Sequence, residues 1–176
     1  MYKRQGRFIP KKGIRILLEA YRRISPDPEI WPLFLVGDGP LRVEVKDLVS
    51  DQLIKGVKIT GFVSESQRHL LTRKAKWMVI PPHTNEDLGL TPLEARSVGV
   101  PCIASTDGGI KETAGSNALF CEPGSVDSLA KCLEEAISMS EKEYLARSKA
   151  TKIGLDDYVR PLHQYAEQYL QLLLNN

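Results

Sequence analysis

The sequence predicts an α/β fold: one domain built on a parallel sheet with helices on both faces. Two observations predict it. Apolar runs of four or five residues alternate with helical segments of about ten, the pattern of repeated βαβ units. Three of those runs end directly in glycine or proline, where a strand gives way to a crossing segment. With 176 residues, 42% hydrophobic and 26% charged, the chain can bury a core of its own.

The elements follow in order. A helix is predicted from about Lys12 to Ile24, because Ile14, Leu17, Leu18 and Tyr21 share one face. Pro26 and Pro28 close it. Leu33-Phe34-Leu35-Val36 is a buried strand ended by Gly37-Asp38-Gly39-Pro40, and Pro40 suits the first turn of a helix reaching about Leu53. Val57 to Thr60 is the next strand, ended by Gly61. Ser64 begins a helix with Leu70 and Leu71 inward. Trp77 to Ile80 is a third strand, stopped by Pro81-Pro82. A helix over about Pro92 to Val98 is capped by Gly99. Pro101 to Ala104 is a fourth strand, followed by Gly108-Gly109 and a short helix. Ala118 to Cys121 is a fifth, and the chain is helical from about Val126. This describes a single Rossmann-like domain over residues 1–154, with a C-terminal helix over 155–176. In that helix Tyr158, Leu162, Tyr165, Tyr169 and Leu172 form one apolar stripe, and Pro161 can kink it.

Composition narrows the function. A net charge of +2 gives no global field to recruit nucleic acid, so no nucleic-acid partner is expected. Cys102, Cys121 and Cys132 lack paired or metal-type spacing and sit in apolar stretches, which reads as buried thiols in a reducing compartment. No apolar run reaches the roughly 20 residues of a membrane span, and residues 1–6 lack an apolar signal core. The expected location is cytoplasmic.

In open α/β sheets ligands bind outside the carboxyl ends of the strands, and three loops there carry unusual residues. Lys3, Arg4, Arg7, Lys11 and Lys12 cluster ahead of the first acid, Glu19. At a helix start they are either a phosphate site, where amides and cationic side chains add, or a solvated charged terminus. Glu86 and Glu94 stand eight positions apart around Leu88-Gly89-Leu90. Thr91 with Glu94 makes a capping box and Pro92 falls on the first helical position. Free amides of Leu88, Gly89 and Leu90 can then face an anion, and Gly89 lets a ligand approach the main chain. The glutamates would accept hydrogen bonds from sugar hydroxyls; the alternatives are a cap for Glu94 and an exposed loop acid for Glu86. Gly108-Gly109 allows a tight turn.

These residues resemble the GT-B fold retaining glycosyltransferases of group 1, the family of bacterial mannosyl- and glucosyltransferases, over Gly6 to about Glu135. The ordered matches are Gly6-Arg7 with Lys12-Gly13, Val36-Gly37-Asp38-Gly39-Pro40, and Gly61-Phe62-Val63. Pro82 with Glu86, Leu88-Gly89-Leu90 and Glu94-Ala95 come next, followed by Gly99-Val100-Pro101, Gly108-Gly109 with Glu112, and Pro123-Gly124. The resemblance implies a C-terminal, donor-binding half of GT-B. It implies that Arg7 and Lys12 bind the donor diphosphate and stabilise the leaving group. Glu86 would hold the transferred sugar, and the backbone of Leu88, Gly89 and Leu90 would contact sugar and phosphate. Glu94 would grip the ribose, and Val63 would flank the base. The implied reaction moves a hexose from a nucleoside-diphosphate sugar, with UDP or GDP, to a glycan or lipid-linked acceptor.

Cations preorganised at the diphosphate can do this without a metal. No Asp-x-Asp clamp is present, so neither metal nor cofactor is expected. The departures are His83 where a small hydroxyl residue is usual, Leu88 where an aromatic is usual, and charge before Gly6 where an apolar first strand is usual. The last suggests a chain that begins inside that strand. An N-terminal acceptor domain is expected to be missing, with the terminal helix crossing back to it, and the fragment alone to be inactive or weak. In the full-length enzyme a peripheral site on the inner membrane face is the alternative location. A non-catalytic nucleotide-sugar-binding module or degenerate homologue is the alternative function. A dinucleotide enzyme or a receiver domain is disfavoured: no Gly-x-Gly-x-x-Gly follows a first strand, and no acidic pocket surrounds a phosphorylatable Asp.

Overall fold

The computed structural model describes residues 1–51, 54–82, 89–159 and 161–174. Among these residues lie the strands β1 (Tyr2–Gln5), β2 (Leu33–Val36), β3 (Val57–Gly61), β4 (Trp77–Ile80), β5 (Cys102–Ser105) and β6 (Leu119–Cys121). The helices are α1 (Ile14–Ile24), α2 (Arg42–Asp51), α3 (Glu65–Lys74), α4 (Leu90–Ser97), α5 (Ile110–Ala114), α6 (Val126–Ser138), α7 (Glu141–Tyr158) and α8 (Leu162–Leu174). The strands form one parallel sheet in the order β3-β2-β1-β4-β5-β6. The chain winds outward in one direction from β1 and in the other from β4. The crevice at that reversal is where ligands bind in such sheets.

Two apolar clusters cover the two faces. Tyr2, Leu33, Leu35, Trp77, Val79 and Ile103 join α1 (Ile14, Leu17, Leu18, Tyr21) and α6 (Leu129, Leu133) in the larger one. Met78, Cys102 and Ala104 join α4 and α5 in the other. The three cysteines are free and buried, as expected. Burial pushes the Cys102 and Cys121 thiols up to about 12.

Three expectations need correction. First, β1 carries Tyr-Lys-Arg-Gln, which reads as a charged terminus, yet it is paired on both sides, with β2 and β4. The strand places its cations by supplying partners. The Tyr2 hydroxyl donates to the Leu133 carbonyl at 2.7 Å on one face. Lys3 on the other face is buried and donates to Gln5 Oε1 and Thr72 Oγ1, each at 2.6 Å. Arg4 donates to the Gly6 carbonyl at 2.8 Å and the Arg7 carbonyl at 3.1 Å, beside the Phe8 ring. A buried cation is tolerated when its protons are satisfied.

Second, the helix after the paired glutamates starts at Leu90 with Gly89 as its cap residue and no side-chain cap. Thr91 is thereby inside the first turn, with Pro92 at the third position rather than the first, and the Thr91–Glu94 capping box does not form. Capping boxes occur instead at Ser64/Gln67 and Ser140/Glu143.

Third, the terminal helix is broken at Pro161. α7 ends at Tyr158 and α8 begins at Leu162, because proline cannot supply the amide that would continue the ladder. Tyr158 lies under the Arg96 guanidinium, while every residue from 161 to 174 is exposed. Among the described residues no helix is long and apolar enough to cross a membrane.

Candidate functional site

The site is assembled from the loops after β1, β2, β3 and β4 and the start of α4. After β1 the chain passes Gly6 and Arg7 into a 3₁₀ turn, Pro10–Lys12, and then Gly13 caps α1 with φ 68°. A β-carbon on Gly13 would stand 1.7 Å from the Pro81 carbonyl oxygen. Glycine is therefore required both by the backbone angle and by the close passage of the loop after β4. The two loops are locked side by side, and the Arg4 guanidinium, bonded to the carbonyls of Gly6 and Arg7, braces the first one from below.

Two neighbouring cavities result. The smaller, about 150 Å³, is lined by Arg7 and Lys12 on one side, by Pro81 and Pro82 behind, and by Gly89, Thr91 and Pro92 at the start of α4. Arg7 is exposed and Lys12 half-buried. Gly89, the cap residue of α4, has no side chain to cap the first turn, and two cationic side chains and a helix N-terminus share one opening. That combination favours an anion. Gly89 also packs: its missing β-carbon would meet Ile110 at 2.5 Å. Leu90 is exposed on the first turn of α4.

The larger cavity, about 510 Å³, shares Gln5, Gly6 and Arg7 with the first and continues along Gly37-Asp38-Gly39, Phe62, Val63 and Arg68. Its lining is mostly apolar, and Phe62 is 85% exposed at its rim. Asp38 accepts from the Gly39 amide at 2.7 Å and pairs with Arg42. The bond from Gly39, with Arg42 close by, lowers the Asp38 carboxyl below its ordinary range.

Glu94 projects from the second turn of α4. Gln5 Nε2 donates to its Oε2 at 2.8 Å, and the Arg68 guanidinium pairs with its Oε1. Both of those partners belong to the wall of the larger cavity. Beneath them, burial lowers the Lys3 ammonium to about 8, with Glu94 opposing the shift and Arg68 adding to it. Burial likewise lowers Arg4 to about 10.

Arg7, Lys12 and Gly89 thus line the smaller cavity and Arg7 and Val63 the larger, with Glu94 held by Gln5 and Arg68 behind the larger one's wall. Glu86, Leu88 and His83 lie outside the described residues. Of the basic cluster, Lys3 and Arg4 lie inside the sheet and only Arg7, Lys11 and Lys12 lie at its edge. Sequence reasoning missed Gln5 and Arg68. Each stands where an apolar residue would fit the pattern, and that mismatch is the signal that could have found them.

The profile of the family Glycosyl transferases group 1 matches residues 5–153. An uncharacterised glycosyltransferase of Methanocaldococcus jannaschii is 28% identical over 138 residues, covering 77% of this chain and 38% of that protein. O-antigen chain mannosyltransferase B of Escherichia coli is 31% identical over 128 residues, covering 71% of this chain and 33% of its own length. The chain therefore spans well under half of these relatives. Among solved structures, HepE of Anabaena in complex with UDP superimposes with a TM-score of 0.81 at 20% identity, over 99% of this chain and 48% of that one. The C-terminal domain of LpcC, a group 1 family protein of Francisella tularensis, superimposes at 0.77 with 22% identity, over 89% and 84%. On these grounds the chain belongs to the Glycosyl transferases group 1 family, with the Rossmann-like fold of the C-terminal half of GT-B.

Proposed function

We propose that this domain binds a nucleoside-diphosphate hexose and, joined to an acceptor-binding half, transfers the hexose with retention to a glycan or lipid-linked acceptor. One observation carries the reading: Arg7, Lys12 and the start of α4 line a single opening. Cleaving the sugar–phosphate bond builds negative charge on the departing diphosphate. Cations and amide dipoles fixed around it stabilise that charge without reorganising. In this proposal Arg7 and Lys12 supply the neutralisation, so no divalent metal takes part. The nucleoside extends into the larger cavity, its base beside Val63 and the exposed Phe62 ring and its ribose hydroxyls on Glu94. Glu86 holds the transferred sugar, and the backbone of Leu88, Gly89 and Leu90 contacts sugar and phosphate. HepE of Anabaena has been solved with UDP and with UDP-glucose, which supports the same ligand class here. In the full protein α8, exposed throughout, would cross back to the acceptor-binding half.

The test is thermal stabilisation by UDP, GDP, ADP, UDP-glucose, GDP-mannose and NAD, with and without a chelator. A matching nucleotide at about 100 times its dissociation constant should add roughly 2.7 kcal/mol, and the chelator should not alter it. Stabilisation by NAD alone would overturn the proposal. Binding of a sugar nucleotide without transfer by the complete enzyme would reduce the function to a binding module.

A further inference from the structure

We propose that Lys3 is a positioning residue for nucleotide binding, acting through the side-chain amide of Gln5 to set the carboxylate of Glu94. The inference rests on the reading above, in which Glu94 receives the ribose hydroxyls.

Lys3 sits on the central strand of the sheet with no exposed surface. Its ammonium donates to three neutral acceptors: Gln5 Oε1 at 2.6 Å, Thr72 Oγ1 at 2.6 Å and the Arg68 carbonyl at 3.4 Å. An apolar side chain would suit a strand covered on both faces, and burying a cation against neutral partners is costly. The arrangement therefore calls for a use of the charge. An ammonium can only donate, so it fixes which end of the Gln5 amide faces it. The oxygen turns toward Lys3 and the NH₂ turns away, 2.8 Å from Glu94 Oε2. With the amide reversed, its oxygen would face the carboxylate and repel it.

The carboxylate is thus held from two sides, at Oε2 by Gln5 and at Oε1 by Arg68. Arg68 is tied to the same network, since its carbonyl accepts from both Lys3 Nζ and Thr72 Oγ1, the latter at 2.9 Å. Each carboxylate oxygen still has acceptor capacity for a hydroxyl. Lys3 touches neither cavity; its effect on the ligand passes through Gln5, which lines both.

The experiment measures dissociation constants of UDP and GDP, and of the 2′,3′-dideoxy analogue of whichever binds, for wild type, Lys3→Met and Gln5→Leu. The expected result is that each substitution weakens the ribonucleotide about tenfold, or ~1.4 kcal/mol, and leaves the dideoxy analogue within about twofold. In a Glu94→Gln background Lys3→Met should cause no further loss, because the pair acts through one group. If Lys3→Met fails to fold, Gln5→Leu carries the same comparison with the ammonium kept on Thr72 Oγ1 and the Arg68 carbonyl. Equal weakening of both nucleotides, or no change in either, would overturn the proposal. If the wild type binds neither UDP nor GDP, the functional reading itself falls, a separable outcome.

Discussion

Gly13 is where two loops of the site depend on one missing methyl group. Its φ of 68° and the 1.7 Å approach of a hypothetical β-carbon to the Pro81 oxygen leave alanine no place. Gly13→Ala should cost about 2–4 kcal/mol, measured as a drop in denaturant midpoint. It should also weaken nucleotide binding, because Pro81 and Lys12 flank the same crevice. The thiols give a second residue-scale prediction. Burial pushes Cys102 and Cys121 to about 12 and, with nearby Glu135, raises Cys132, and all three are buried in the folded state. An aromatic disulfide reagent should leave all three unmodified until denaturant is added, then titrate three thiols. Fast reaction of any cysteine in the native protein would contradict the burial.

What could be read in the sequence at this scale follows from which rule each residue obeys. Arg7, Lys12 and Gly89 sit in loops next to glycine and proline, where cations and backbone approach have few packing reasons. Lys3, Arg4 and Gln5 obey no such rule. A strand covered on both faces is expected to be apolar, and partners make this one possible: distant Thr72 and Glu94 for Lys3 and Gln5, and the nearby Gly6 and Arg7 carbonyls for Arg4. Glu94 was readable as a cap because its spacing from Thr91 fits one. The helix begins earlier than that spacing implies, which moves the carboxylate across to Gln5 and Arg68.

At the scale of elements, β2 and β4 fall where their apolar runs predict, since a four-residue buried strand has little room to shift. Helix ends moved more, by capping chemistry and by Pro161. The packing of α1 on α6 supports the loop that carries Arg7 and Lys12, because α1 begins directly after it. Leu17, fully buried in that packing, should cost about 2–5 kcal/mol when replaced by alanine, a fall of roughly 2–4 °C in Tm per kcal/mol. The Arg23–Asp127 pair joins the same two helices across an exposed surface. Asp127→Ala should change stability by less than about 1 kcal/mol, because exposed ion pairs are screened and mobile. Thermal denaturation of the two variants side by side separates the contributions.

For the whole molecule, the strand order puts β1 and β4 at the reversal point, and every residue lining the two cavities lies within reach of that edge. The far end of the chain is different. α8 buries none of its residues, so ending the chain at residue 160 should move the Tm of the remainder by less than about 2 °C. A large loss would mean that α8 packs on the sheet domain. The chain spans 38% of the M. jannaschii relative. Under the proposed function, transfer should be absent or weak in this domain alone and appear when an acceptor-binding half is supplied. Nucleotide binding should need no such help.

The most direct measurement is calorimetric titration of UDP and GDP into wild type and into Arg7→Ala/Lys12→Ala. Saturable binding of one nucleotide to the wild type, weakened at least about a hundredfold (~2.7 kcal/mol) in the double variant, is the predicted result. Unchanged affinity in the double variant would contradict the account, because the diphosphate would then lie somewhere other than the opening shared by these two side chains and the start of α4.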